Sequence, residues 1–216
     1  MRVMKKVAMF SLFVGTALFV RSAAATFSSV EYLPESSHYQ GRVSYSTNAD
    51  DGRLLRGRVD FAVYDTQGGN EFAAAGFTAP GSGRYVYAYQ VFGQPNASDP
   101  LDYFAVKDIG VNAIAGKTDI GTADDGHSGI DASNAFFNPY PTTTTTDAVW
   151  EFTSTNVTQG THSYFLVFSS DHNWKVGTYE VTPSSGELPI PGPEPATMAL
   201  LSFGGVMLWA KRKKSV

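Results

Sequence analysis

Four aspartates lie within thirteen residues of one glycine-containing stretch, and carboxylate oxygens on a flexible loop are ligands that Ca²⁺ favours. They are Asp119, Asp124, Asp125 and Asp131. Their spacing does not fit an EF-hand, because taking Gly126 as the sixth loop residue places Gly121 first and Ala132 last, and neither carries a carboxylate. We therefore interpret the stretch as a solvated loop, keep calcium binding as a hypothesis, and expect no cofactor.

The remaining residue types that could do catalysis are not arranged for it. The four histidines lack the short spacing of a zinc site; they are His38, His127, His162 and His172. The run Gly126-His127-Ser128-Gly129 is similar to a turn that presents a catalytic serine, but that motif requires glycine where this chain has Ile130. Scattered acidic residues form chance pairs, so no glycosidase pair is assigned. The sequence predicts no enzyme, with a secreted hydrolase as an alternative.

Two further patterns could form binding surfaces. Tyr85, Tyr87 and Tyr89 alternate along one segment and could stack on sugar rings, although such tyrosines also serve as core or edge packing. Thr142 to Thr146 could present regular methyl and hydroxyl groups, as ice-binding surfaces do, or carry O-linked sugar. A flat ice-binding face needs stacked repeats, and the chain has none. Packing, and a loop or edge strand, are the structural interpretations; a carbohydrate-binding module and an ice-binding protein stay open.

Charge and cysteine content restrict the partners of the segment 26–182. Eight of the 16 Lys and Arg residues lie in the two ends of the chain, whereas 18 of the 20 acidic residues lie in this segment. The segment is therefore acidic, with a charge of about −10, and nucleic acid is not an expected partner because phosphate binding needs clustered basic residues. No cysteine is present, so the segment has no disulfides and must be stabilised by packing, alone or with a bound ion.

The elements that would position any site are strands. Apolar residues alternate with polar ones around Val59–Val63, Tyr85–Val91 and Tyr179–Val181, and Tyr164–Phe168 is apolar on both faces, as in a central strand. Glycine, proline and asparagine turns separate these segments, and none sustains an amphipathic helix. Seven to nine short strands in about 157 residues predict an all-β domain, an antiparallel β-sandwich of the immunoglobulin-like or jelly-roll type.

Residues 1–25 have the composition of a secretory signal peptide. Arg2, Lys5 and Lys6 precede an uncharged run, and Ala23 and Ala25 supply the small residues that a signal peptidase reads. We expect the mature chain to begin near Thr26.

The other end of the chain contains a short polar motif, an apolar segment and a basic block. Pro193, Glu194 and Pro195 precede the uncharged run Ala196–Ala210, which includes Gly204 and Gly205. The block is Lys211, Arg212, Lys213 and Lys214. As a helix, about 15 residues rise roughly 22 Å, short of a hydrocarbon layer of about 30 Å unless Leu188, Ile190 and the lysine stems extend it. The sequence predicts a transmembrane helix over about 196–210 with its basic end in the cytoplasm.

This order of features resembles the C-terminal sorting region of PEP-CTERM proteins of Gram-negative bacteria. The resemblance covers Pro193 to about Lys214 and departs from the family pattern at Gly192, where valine is common. It implies recognition at Pro-Glu-Pro by a membrane-embedded exosortase, cleavage near it, and delivery to the cell surface or an exopolysaccharide matrix. The expected role is structural or adhesive, with exosortase, the membrane and polysaccharide as partners.

The expected domain organisation has four parts. They are a signal peptide (1–25), an extracytoplasmic β-sandwich (26–182), a Pro/Gly linker (183–192) and the sorting signal with its transmembrane helix (193–216).

Overall fold

A computed structural model describes residues 30–46, 54–94, 97, 100–110, 119–140, 144–181 and 184–191. The predicted signal peptide and the sorting signal over 193–216 lie outside the described residues. In the part of the chain that is described, no helix is long and apolar enough to cross a membrane.

Within these residues the chain forms ten strands and one short helix. The strands are β1 (Tyr39–Ser46), β2 (Arg56–Asp65), β3 (Tyr85–Gly93), β4 (Tyr103–Gly110), β5 (Ile120–Ala123), β6 (Asn134–Pro139), β7 (Thr145–Glu151), β8 (Phe165–Ser170), β9 (Trp174–Val181) and β10 (Ser184–Pro191). Helix α1 (Glu71–Ala74) follows β2, and its first turn is capped by Asn70, whose side chain accepts a hydrogen bond from the amide of Ala73.

The strands form two five-stranded sheets that pack together. The first sheet has the order β1-β2-β3-β8-β5, and the second has the order β10-β9-β4-β7-β6. Every named pair of strands is antiparallel. Contacts of β1 with β10 and of β5 with β6 join the two sheets at both sides. The prediction of an all-β domain with two antiparallel sheets is thereby confirmed.

Alternation along the strands places the large apolar side chains between the sheets. Tyr89 of the first sheet contacts Phe104 and Trp150 of the second, with ring centroids 5.8 and 6.3 Å apart. Phe168 of β8 packs on Tyr87 and also meets Trp150. All five side chains are buried. Burying residues of this size removes about 150–250 Å² each from water, so this aromatic layer is the main stabilising element of the fold.

A second apolar cluster covers the outer face of the first sheet. Tyr64, Val86 and Phe165 point away from the first core and pack against Leu33 and Phe72. Leu33 belongs to the segment that precedes β1, and Phe72 belongs to α1. The N-terminal segment and the helix therefore form a third layer on this sheet. This layer explains why β8, which is predicted to be central, is buried on both faces; it lies between β3 and β5.

The structure corrects the prediction of a linker over residues 183–192. Residues Ser184–Pro191 form β10, which pairs with β9 in register from Ser184↔Val181 to Pro191↔Trp174. The prolines indicated a linker because they donate no backbone hydrogen bond, but β10 is the edge strand of its sheet, where one side of the backbone needs no partner. Ile190 is buried in the first core. The domain thus extends to Pro191 rather than ending at residue 182.

Candidate functional site

The four aspartates of the calcium hypothesis are used separately by the fold. Asp124 and Asp131 are exposed, and their side chains accept hydrogen bonds from the amide of Gly126 and the hydroxyl of Thr122. Asp119 and Asp125 are buried. Among the described residues, no group of three or more His, Cys, Asp or Glu side chains is placed to hold a metal ion.

Asp125 instead anchors a cluster that brings two of the scattered histidines together. Its Oδ2 lies 2.6 Å from Nε2 of His162 and accepts a hydrogen bond of 2.7 Å from the amide of Gln90. Its Oδ1 accepts from the backbone amides of His127 and Gly129. A buried carboxylate with four such neighbours is well stabilised, because each polar contact offsets part of the cost of removing the charge from water.

Tyr32 covers this cluster. Its ring stacks on His127 with centroids 4.4 Å apart, and it also contacts the rings of His162 and Phe92 at 4.9 and 6.0 Å. The neighbouring Glu31 raises the pKa of the Tyr32 hydroxyl. We call Tyr32, Asp125, His127 and His162, together with Phe92, the histidine cluster. In it the Asp125–His162 pair lies beneath the ring of Tyr32.

A row of charged residues continues from the histidine cluster across the outer face of the first sheet. Asp60, which is fully buried, accepts two hydrogen bonds from Arg42, at 2.7 and 2.9 Å, and another from the amide of Glu31. Arg58 lies over the ring of Phe92, 3.8 Å from its centroid. The pairing of these residues was not predicted from the sequence. Asp60 could have been noticed as a charged residue between two core positions, Val59 and Phe61.

One buried polar atom of this region has no hydrogen-bond partner among the described residues, Oε1 of Gln90. Nε of Arg58 lies 3.4 Å from Oδ1 of Asp60, and Nε2 of His162 lies 2.6 Å from Oδ2 of Asp125, so both are in ion-pair contact. Bound water is the usual partner of an atom such as Oε1 of Gln90 in proteins. The cluster is thus a polar site beneath an aromatic cover, with the arrangement of a structural network.

The hypothesis that the alternating tyrosines of β3 form a sugar-binding surface is wrong. Tyr85, Tyr87 and Tyr89 are at most 2% exposed and belong to the core between the sheets. The hydroxyl of Tyr87 donates to the backbone oxygen of His172. Burial raises the pKa of Tyr87 and Tyr89 well above the ordinary value, as expected for hydroxyls removed from water.

The threonine run lies partly in a strand. Residues 141–143 are outside the described part of the chain, Thr144 is exposed, and Thr145 begins β7. The expectation of a loop or edge strand is corrected for the end of the run, because β7 lies between β4 and β6 and Thr146 is buried. The two described threonines of β7 therefore belong to the interior of a sheet rather than to an open threonine surface.

The outer face of the second sheet has a different character. Among the described elements none packs over it, since α1 and the N-terminal segment lie on the first sheet. This outer face contains aromatic and charged side chains on alternating positions of its strands. They are Tyr103, Lys107, Phe136, Asp147 and Glu180, with Tyr140 at the end of β6.

Lys107 is the centre of this outer face. A register shift in β4 between Val106 and Ile109 marks a bulge, and Asp108 within it has a φ of 57°. Nζ of Lys107 lies 2.5 Å from Oδ2 of Asp147 and 3.2 Å from Oε2 of Glu180. Partial burial lowers the pKa of Lys107, but the hydrogen bonds to these carboxylates outweigh it and raise the pKa well above the ordinary value.

A pocket of about 370 Å³ lies between α1 and the first sheet. Asn70, Phe77, Ser82 and Val86 are among its lining residues, and none of the residues that line it is ionisable. It offers hydroxyl and amide groups, which are among the polar groups that can fix a ligand's orientation.

Aromatic side chains lie at the end of the sandwich where β10 ends at Pro191. Trp174 is the cross-strand partner of Pro191 and stacks on Tyr39 with ring centroids 3.8 Å apart. Val176, two residues along β9, is 59% exposed. Sequence reasoning singled out none of the three, because their proximity depends on the pairing of β10 with β9 and on the contact of β10 with β1.

Comparison of the chain with protein-family models, with curated proteins and with solved structures finds no match.

Proposed function

We propose that this chain is an exported structural or adhesive protein of a Gram-negative cell surface, sorted by its C-terminal Pro-Glu-Pro signal and associated with exopolysaccharide. The observation that carries the proposal is the order of features after the last strand. β10 ends at Pro191, one residue separates it from Pro193-Glu194-Pro195, and the apolar run and basic block follow. A membrane segment placed directly after a folded domain holds that domain at the membrane surface.

The proposal assigns no catalytic residue. The histidine cluster and the row of charged residues around Asp60 are networks in which the polar atoms mainly hydrogen-bond to one another, which is the usual condition for polar groups buried in a sheet.

For the fold we infer a jelly-roll type rather than an immunoglobulin-like type. The described strands pass from one sheet to the other five times, whereas the two-sheet division of an immunoglobulin constant domain requires about three passages.

The proposal is tested by removing the tail. The wild-type chain and a variant that stops after Gly192 are expressed in a bacterium that has an exosortase, and the cells are separated into medium, periplasm, membrane and surface fractions. We expect the wild type in the membrane and surface fractions and the truncated variant in the periplasm. The same distribution for both chains would refute the sorting role of the tail.

A carbohydrate-binding module is the second candidate, and the outer face of the second sheet is the observation that favours it. Exposed rings beside paired carboxylates and an ammonium group are the residue types that stack on sugars and bind their hydroxyls. Phe136 is 38% exposed and Tyr103 is partly exposed. We expect saturable binding on a polysaccharide array that is lost in Phe136→Ala and Tyr103→Ala. Tyr87→Phe, in the buried stripe, is the control that retains binding, and an array without any binding excludes the candidate.

A further inference from the structure

The short connection between the last strand and the apolar run fixes how far the sandwich can lie from a membrane. Pro191 is held in the sheet by its pairing with Trp174, and the uncharged run begins at Ala196. Five residue steps of at most about 3.6 Å each span no more than about 18 Å. A headgroup layer occupies roughly 5–7 Å of that distance on one side of the bilayer. Pro191 therefore lies within about 10–13 Å of the headgroup surface whenever the run is inserted.

The shortness of the run reduces this distance further. A helix of about 15 residues rises roughly 22 Å, while the hydrocarbon layer is about 30 Å thick. Ile190 does not lengthen the run, because its side chain is buried in the sandwich beside Gly177. Leu188 is paired with Gly177 across the sheet, so its backbone is also committed to the domain. A segment shorter than the bilayer is accommodated by local thinning of the bilayer or by snorkelling of its flanking residues, and here the flanking residues are attached to β10.

The residues at this end of the sandwich suit a membrane interface. Tryptophan and tyrosine are enriched at the headgroup level because they combine an apolar ring with a polar group. Trp174 and Tyr39 are stacked and both are partly exposed. Val176 is one of two exposed large apolar side chains in the described residues, and Lys175 between it and Trp174 is exposed and cationic. Anionic headgroups attract such a lysine.

We propose that the Tyr39–Trp174 end of the sandwich, with Lys175 and Val176, is a docking surface for the headgroup layer of the membrane that holds the uncleaved tail. This inference rests on the proposed function, because it requires the tail to be inserted. In the docked precursor the histidine cluster lies at the opposite end of the first sheet, since Phe92 is at the far end of β3 from Tyr85, which contacts His38 next to Tyr39. The Tyr32 and His127 rings then face away from the membrane.

Tryptophan fluorescence tests the docking directly. The full mature chain with Trp209→Phe is purified from a host without an exosortase and reconstituted in vesicles of phosphatidylethanolamine and phosphatidylglycerol. A fraction of the lipid carries bromine near the glycerol end of the acyl chain. Two tryptophans remain, and Trp150 is fully buried, with its indole donating to the backbone oxygen of Gly121. The matched control is the same protein with Trp174→Phe.

We expect several-fold stronger quenching by the brominated lipid when Trp174 is present than in the Trp174→Phe control. A flexible Gly/Ser insertion after Gly192 should weaken that quenching, because it removes the limit on distance; unchanged quenching would contradict this limit. Flotation of the vesicles tests membrane insertion of the tail separately from docking of the sandwich. Protein that does not float with the vesicles contradicts membrane insertion of the tail, whereas protein that floats without quenching of Trp174 overturns the docking surface alone.

Discussion

Asp125 and His162 form a buried pair in which Oδ2 and Nε2 are 2.6 Å apart, although 37 positions separate the two residues in the chain. The pair lies beneath the ring of Tyr32 on the outer face of the first sheet. It joins the loop after β5 to the segment before β8, and it therefore fixes a part of the chain that has little regular structure.

The first prediction concerns this pair. Asp125→Ala should lower the free energy of unfolding by about 3–5 kcal/mol, because it removes the buried carboxylate that pairs with His162 and accepts from Gln90, and it removes the acceptor of two partly buried backbone amides. Urea unfolding followed by tryptophan fluorescence measures the change. Asp131→Ala is the matched control in the same stretch; its carboxylate is exposed, and we expect a change within about 0.5 kcal/mol. Equal effects of the two substitutions would contradict the assigned network.

The second prediction concerns the third layer on the first sheet. Phe165 is fully buried and contacts the rings of Phe72 and Phe77, so Phe165→Asp should prevent stable folding. An unpaired buried carboxylate costs several kcal/mol against a total stability of about 5–15 kcal/mol. Phe136→Asp places the same charge on an exposed position of β6 and should fold normally. Thermal unfolding by circular dichroism distinguishes the two, and a wild-type midpoint for Phe165→Asp would disprove the burial of β8 on both faces.

The positions of several strands could be predicted from the sequence. Alternation identified β2, β3 and β9, and the doubly apolar run identified β8, because a period of two directly reports which face of a strand is buried. The pairing of distant polar residues was not predictable. Asp60 with Arg42, and Asp125 with His162, are brought together only by the order of strands, and local periodicity contains no information about that order.

Proline caused the main error in the element boundaries. Pro189 and Pro191 occur in a strand that a composition rule assigns to a linker, and only the position of β10 at the edge of its sheet makes them acceptable. The tyrosine stripe shows a related limit. Alternation correctly placed Tyr85, Tyr87 and Tyr89 on one face, but the sequence left open whether that face meets water or a second sheet.

The third prediction tests whether β10 belongs to the domain. A Cβ atom on Gly177 would lie 2.2 Å from Cδ1 of Ile190, so Gly177→Val should displace β10 from β9. Hydrogen exchange measured by mass spectrometry should then show faster exchange of the amides of residues 184–191. Gly121→Val is the control, because a Cβ there meets nothing within 4 Å. Fast exchange of these amides in the wild type would restore the linker interpretation.

The fourth prediction concerns acid. Arg84 hydrogen bonds to Asp65 and lowers the pKa of that carboxyl, and the hydroxyl of Ser37 does the same for Glu71. A lowered pKa means that the unfolded chain binds the proton first, so this stabilisation is present above about pH 4 and is lost as the pH falls through the folded pKa. Asp65→Asn should flatten the decline of the melting temperature below about pH 4, with an effect of at most about 1 kcal/mol because Arg84 is partly exposed. An unchanged slope would contradict this assignment.

The fifth prediction concerns the tail itself. If Pro193-Glu194-Pro195 is read by a processing enzyme, Glu194→Ala should leave the longer form in the membrane, because the apolar run and the basic block are intact. Gly204→Asp should instead impair insertion, since a carboxylate near mid-membrane costs roughly 2.5–3.5 kcal/mol on the insertion scale. Fractionation of cells that express each variant separates recognition of the motif from anchoring by the run.

Mass spectrometry of the C-terminal peptide, on wild-type protein from a host that has the exosortase, is the most direct test of the sorting proposal. We expect a new C-terminus near Pro193-Glu194-Pro195 in the surface fraction, and an uncleaved tail in the Glu194→Ala variant. Surface protein that retains Val216 in the wild type would contradict processing at this motif.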